Sequence, residues 1–466
     1  MDLHNKLTGC FTGKNIGGTL GMPYEGTETY NDLSWYRPIP EGVSPNDDLD
    51  LQLVWLEAFK THGVALDSLR LGEYWMKYID CHMDEYGIAL RNMNKGVMPP
   101  LSGKHDNYFT DGMGAAIRAE IWAALFPGKP LTAGYYAWQD STVDHYGEGV
   151  YAEMFIAMLE SDLYTSGNLR KSLDFAIAFL PDDSRLKIAF SDIRNLFASA
   201  VPVAETRDLI MKKYGSVNFT DVVMNLSFVV MALLYGGNDF SKTILLAVNC
   251  GQDTDCTTAT AGAIMGILLG DEAIPVQWKE KVGDDFVVGD GIGCATPKSV
   301  SELVSAIEKL HDKMPGELPG IKLPFRLPEL NDFAERVPWV VNGRRIEFPG
   351  GIKIDSALYP EVLGKKPHLK TIVSFDKSGT INLTVSTRGV FVCNWNGVRI
   401  GSKGDQMQPI PAPHRVRGGR VWPITVNAGE KYELEITMYS TCPIPEVYVI
   451  FSDLRTHRHV IPRYHV

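Results

Sequence analysis

The sequence has no run of about 20 uninterrupted apolar residues, so no segment reads as a membrane span. Its opening, MDLHNKLTGCFTGKN, lacks the basic stretch followed by an apolar one that marks a secretory leader, and the expected location is the cytoplasm. Basic residues form no long runs and the formal net charge is −11. A surface able to neutralise nucleic-acid phosphates is therefore not expected, and a small-molecule or polymer substrate is. Cys10, Cys81, Cys250, Cys256, Cys294, Cys393 and Cys442 include no C-x-x-C pair, which argues against a disulfide framework and against a zinc ribbon. Low-complexity segments and solenoid repeats are also absent.

What is present is a globular composition, 45% hydrophobic over 466 residues, enough for a substantial core and for two domains or more. Up to about residue 313 the apolar residues recur at three and four, as in LQLVWLEAF, VVMNLSFVVMALLYG and SVSELVSAIEKL, so residues 1–313 read as all-helical. The following MPGELPGIKLPFRLPEL carries four prolines, which cannot continue a helix, and residues 314–334 read as a linker. Short alternating runs such as RRIEF, TIVSF, TINLTVS, KYELEITM and EVYVIF then predict an all-β sandwich or jelly roll over residues 335–466. Trp395 and Trp422 in that part fit core packing better than a sugar-binding face.

Gly9, Gly13, Gly17 and Gly21 fall every fourth residue, and Gly262, Gly266 and Gly270 repeat the spacing. Glycine costs a helix about 1 kcal/mol per position relative to alanine, so two smooth stripes need a reason, most simply a close approach of backbones. Each stripe is followed or preceded by acids. Asp47, Asp48 and Asp50 open a helix with an apolar body; taken alone, they also suit capping and the helix dipole. Asp253 and Asp255 stand between an apolar run and a Gly/Ala-rich helix. Two carboxylates in such a setting repel and are poorly solvated unless a cation or protons neutralise them, which favours a hard metal such as Mg, Mn or Ca.

Several ordered motifs in residues 5–312 resemble those of the ADP-ribosylglycohydrolase family, which includes the dinitrogenase reductase-activating glycohydrolases. GCFTGKNIGGTLGMPYEG is similar to the family's first helix and its terminal glutamate, here Glu25. Asn46-Asp47-Asp48 resembles a Thr-Asp-Asp metal motif, and GQDTDCTTATAGAIMG, with Asp253, Asp255 and Cys256, an Asp-Thr-Asp-Thr motif. TDGMGAAIRAEIWAALFPG, with Asp111, and DHYGEGVYAEMF, with His145, are similar to segments that line the substrate.

The resemblance implies a multidomain chain whose all-α catalytic domain hydrolyses an ADP-ribosyl or other ribosyl N- or O-glycosidic bond. It implies one or two Mg or Mn ions held among Asn46, Asp47, Asp48, Asp253, Asp255 and Cys256. Glu25, Asp48 and Asp253 would be catalytic, and Asp111 and His145 would bind substrate. Three departures stand out: Asn46 and Cys256 replace threonines, and Gly18 replaces an aspartate. A thiol is a soft donor, so the expectation is one firmly held ion, a weaker second, and a Cys256 sulfur bound to neither. Two alternatives are a glycosidase or nucleoside hydrolase acting on another sugar, and a non-catalytic, crystallin-like member; four retained aspartates speak against the latter. Oligomeric state is not legible.

Overall fold

A computed structural model describes residues 2–311, 336–355, 366–405, 407–415, 419–440 and 446–465. The predicted linker, 314–334, lies outside them. Contacts divide the chain into two compact units, one of Met1–Asp80 with Thr110–Leu327, the other of Cys81–Phe109 with Pro328–Val466.

Among the described residues of the first unit, the regular elements are all helices, joined by loops with isolated bridges but no strand. Polar caps start its helices where the sequence offers them. Asp2 accepts from Asn5 N, Asn46 from Asp48 N, Asp221 from Met224 N and Asp239 from Lys242 N, each satisfying a backbone donor that a helix start leaves open. The central pair is Leu3–Gly21 and Thr254–Leu269, which are buried along almost their whole lengths. They cross antiparallel along the two glycine stripes. A Cβ on Gly9 would lie 2.4 Å from Gly266 O, on Gly13 2.1 Å from Gly262 O, on Gly17 2.1 Å from Thr258 O, and on Gly21 2.1 Å from Thr254 O. Backbone therefore packs on backbone, and only glycine fits. No helix among the described residues is long and apolar enough to cross a membrane.

In the second unit, strands β1 (Arg336–Val341), β2 (Arg344–Pro349), β3 (Lys353–Asp355), β4 (His368–Ser374), β5 (Gly379–Thr387), β6 (Val390–Trp395), β7 (Val398–Lys403), β8 (Gly419–Val426), β9 (Lys431–Tyr439), β10 (Glu446–Asp453) and β11 (Arg463–His465) form two antiparallel sheets. One runs β2-β1-β4-β9-β6-β7, with β11 also on β4; the other runs β3-β10-β5-β8. The alternation read in KYELEITM is realised in β9, where Tyr432, Leu434, Ile436 and Met438 turn inward. One apolar cluster takes side chains from both sheets, Trp395 among them, stacked on Tyr432 at 5.2 Å, while Trp422 packs against its edge.

Residues 81–109, read from sequence with the helical part, belong to this second unit. Polar contacts tie them there. Asp106 Oδ2 accepts from the backbone N–H groups of Gly351 (2.7 Å) and Ile352 (3.0 Å), Arg415 pairs with Asp84, and Arg458 Nε donates to His82 Nε2 at 3.0 Å. None of the six described cysteines is in a disulfide.

Candidate active site

The antiparallel crossing sets the end of the first helix beside the start of helix Thr254–Leu269, and the chain beyond Gly21 continues the contact. Gly26 N donates to Gln252 O at 2.8 Å, and Gln252 N donates to Thr27 O at 2.6 Å. Gly251 has φ +76° and Gln252 φ +67°, so two successive residues are left-handed immediately before Asp253. For glutamine that conformation is uncommon and is held by the surrounding bonds. A Cβ at Gly251 would meet Thr29 O at 2.6 Å and Thr27 O at 2.7 Å. The result places Glu25 against Asp253.

Two groups of ligating atoms form there, each within 4.8 Å internally: Glu25, Asp253 and Asp255, and Asp48, Asp255 and Cys256. Asp255 belongs to both. Asp48, Asp253, Asp255 and Cys256 are buried, and Glu25 is exposed. Asp253 occupies the N-cap position but makes no capping bond, unlike the aspartates at other helix starts. Asp253 Oδ2, Asp255 Oδ1 and Asp48 Oδ2 are enclosed without a hydrogen-bond partner among the described residues. Burial, followed by the Asp255 charge, holds the Asp253 carboxyl well above its ordinary range, and burial raises Asp48 and Asp255 too. Protons or a cation must relieve this concentration of charge. The enclosed carboxylate oxygens fit a hard divalent ion.

Cys256 donates its thiol hydrogen to Asp48 Oδ1 at 3.4 Å. Burial and then the neighbouring aspartates push the thiol far above its usual pKa, so it is a neutral donor at this position. The other oxygen of Asp48 faces Lys14, whose Nζ lies 3.6 Å from Oδ2 and 2.8 Å from Glu120 Oε1. Gln52 Nε2 donates to Glu120 Oε2 at 2.7 Å. Burial alone would lower Lys14, but Glu120 and Asp48 reverse that and keep it above its normal value. Lys14, Gln52 and Glu120 were not singled out in the sequence. Nothing local marks Lys14 beyond its place in the glycine-rich FTGKNIGG stretch.

The remaining predicted residues are placed differently. Asp47 is exposed and belongs to neither group. Asn46 uses its side-chain oxygen to cap Asp48 N at 2.9 Å. Its amide nitrogen would lie 2.2 Å from a Cβ at position 18, so Gly18 makes room for Asn46 and two of the family departures touch. His145 is fully enclosed, away from solvent, with Nδ1 2.9 Å from Asp144 Oδ1. Arg118 grips that same Asp144 through two bonds of 2.6 and 2.9 Å and reaches Asp140 at 2.8 Å. Burial would raise Asp144, yet Arg118 and His145 draw it down to about 2, as expected of a paired structural carboxylate. Asp111 lines a cavity of about 410 Å³ with Trp138, Tyr146, Glu148 and Tyr151. Burial and Asp221 raise it to about 6 against the opposing Arg185.

The ADP-ribosylglycohydrolase family profile matches residues 1–316. An uncharacterized protein of Archaeoglobus fulgidus is 24% identical over 298 residues, 60% of this chain and 93% of its own. The ADP-ribosylarginine hydrolase Tri1 of Pseudomonas putida is 23% identical over 295 residues, 59% of this chain and 72% of its own. A solved ADP-ribosylglycohydrolase-related protein complex covers 66% of this chain and 98% of its own at 18% identity, with a TM-score of 0.48. With the family profile spanning the helical unit and the acids that converge in it, this chain belongs to the ADP-ribosylglycohydrolase family.

Proposed function

We propose that the chain hydrolyses an N- or O-glycosidic bond to an ADP-ribosyl group, with one or two Mg or Mn ions held by Glu25, Asp253, Asp255 and Asp48. The observation that carries this reading is the pair of enclosed carboxylate oxygens, Asp253 Oδ2 and Asp255 Oδ1, without a hydrogen-bond partner among the described residues. A hard divalent ion supplies Lewis-acid polarisation and acidifies bound water. Glu25, exposed beside the buried pair, accepts a proton from the attacking water or orients it. Asp253 and Asp255 stay in place because the helix crossing and the left-handed turn fix their backbone, which supplies the positioning part of catalysis. Asp111 contacts polar groups of the substrate from its cavity wall.

The name of the Pseudomonas putida relative makes ADP-ribosylarginine the first substrate to try. A crystallin-like, inert role is disfavoured by the crowding of Asp48, Asp253 and Asp255 in the interior, which a scaffold would have no reason to keep. The two sheets of the second unit are read as an accessory β-sandwich. The test is a hydrolysis panel of ADP-ribosylated arginine and serine peptides, nucleosides and aryl glycosides, run with Asp253→Asn as control. Release of ADP-ribose by wild type, lost in the variant, supports the reading. Cleavage confined to nucleosides or aryl glycosides, or activity retained in Asp253→Asn, overturns it.

A further inference from the structure

The two groups of ligating atoms are not equivalent. Glu25, Asp253 and Asp255 offer three carboxylates. In the other group, Asp48 is engaged on both sides: Oδ1 accepts the Cys256 thiol at 3.4 Å, and Oδ2 lies 3.6 Å from the Lys14 ammonium. Lys14 is itself 1% exposed and fixed by Glu120 at 2.8 Å, with Gln52 holding the far oxygen of Glu120 at 2.7 Å. A buried ammonium so placed cannot swing away to solvent. A divalent ion bound to Asp48 would therefore sit close to a fixed like charge in a poorly screened interior, with the soft sulfur of Cys256 as its third neighbour.

From this geometry we infer that Lys14 takes the place of a second divalent ion at Asp48. The site then holds a single hard ion, at Glu25, Asp253 and Asp255, and Lys14 is a positioning residue that neutralises and orients Asp48 from inside the helix pair. The inference rests on the metal-binding reading proposed above. It adds a residue contributed by this chain's own first helix, acting through Asp48.

The test is metal binding by the full chain, stripped of metal and titrated with Mn²⁺. Stoichiometry is read by equilibrium dialysis, and the electron paramagnetic resonance spectrum separates isolated Mn²⁺ from an exchange-coupled pair. The variants are Lys14→Met and the double substitution Lys14→Met/Glu120→Gln. The double variant removes one buried charge of each sign, leaving Gln52 a neutral partner and protecting the fold. Wild type is expected to bind one Mn²⁺ per chain with an uncoupled spectrum. The variant that folds, checked by circular dichroism, is expected to keep the first site within about threefold and to gain a second ion with a coupled signal. Two coupled ions in wild type overturn the inference, as does a folded double variant that still binds one ion. Failure to bind any Mn²⁺ overturns the metal-binding reading itself, and the inference with it.

Discussion

Gly13 and Gly262 meet backbone to backbone: a Cβ on Gly13 would lie 2.1 Å from Gly262 O, and one on Gly262 2.2 Å from Gly13 O. Helix propensity and close packing therefore make opposite forecasts for Gly262→Ala. Propensity alone would stabilise the helix by about 1 kcal/mol. Overpacking against a rigid carbonyl reverses the sign, for an expected net loss of about 1–3 kcal/mol in urea denaturation. An alanine variant more stable than wild type would show that the two helices are free to separate there.

Asp255 belongs to both ligand groups, whereas Asp48 belongs to one. Asp255→Asn is expected to weaken Mn²⁺ binding by more than the roughly 10–100-fold typical of losing an outer partner of a ligand. Asp48→Asn should leave the tighter Mn²⁺ site within a few-fold of wild type. Isothermal titration of both variants checks the order. Equal losses would mean that the two groups do not divide as their geometry indicates.

In the second unit, burial, then the Arg415 guanidinium and His457, lower His414 to about 4. Asp84 lies 3.7 Å from its Nε2, but that carboxylate is already paired with Arg415. With an unfolded pKa near 6.5, the unfolded chain takes up the proton first as pH falls. The stability His414 preserves is thus complete above about pH 6.5 and is lost progressively down to about pH 4. The loss at pH 5 is on the order of 2 kcal/mol. Urea melts at pH 7 and pH 5 should show a smaller drop for His414→Gln than for wild type. An unchanged pH dependence would reject His414 as its source.

Much of this was legible in sequence because it is local or periodic. The glycine stripes announced a close helix crossing, and the change from a three-to-four period to alternation announced helices followed by sheets. Asp253 and Asp255 stood out because two carboxylates in an apolar setting need a cation or protons, whereas Asp47, Asp48 and Asp50 taken alone also suit a helix start. Other features depend on partners distant in the chain. Lys14 reads as an ordinary helix lysine until Asp48 and Glu120 are brought beside it. Asn46 reads as a ligand, and only the structure shows that its oxygen also caps Asp48 N. The helix Asp84–Asn94 shares its periodicity with its neighbours, and period alone cannot say which core it joins.

The most direct measurement is the rate of ADP-ribose release from ADP-ribosylarginine by protein stripped with EDTA, before and after Mg²⁺ or Mn²⁺ is restored. Metal-dependent hydrolysis requires near-zero release by the stripped protein, recovery on adding metal, and no recovery in Asp253→Asn. Release that is unaffected by stripping, or that persists in Asp253→Asn, would contradict it.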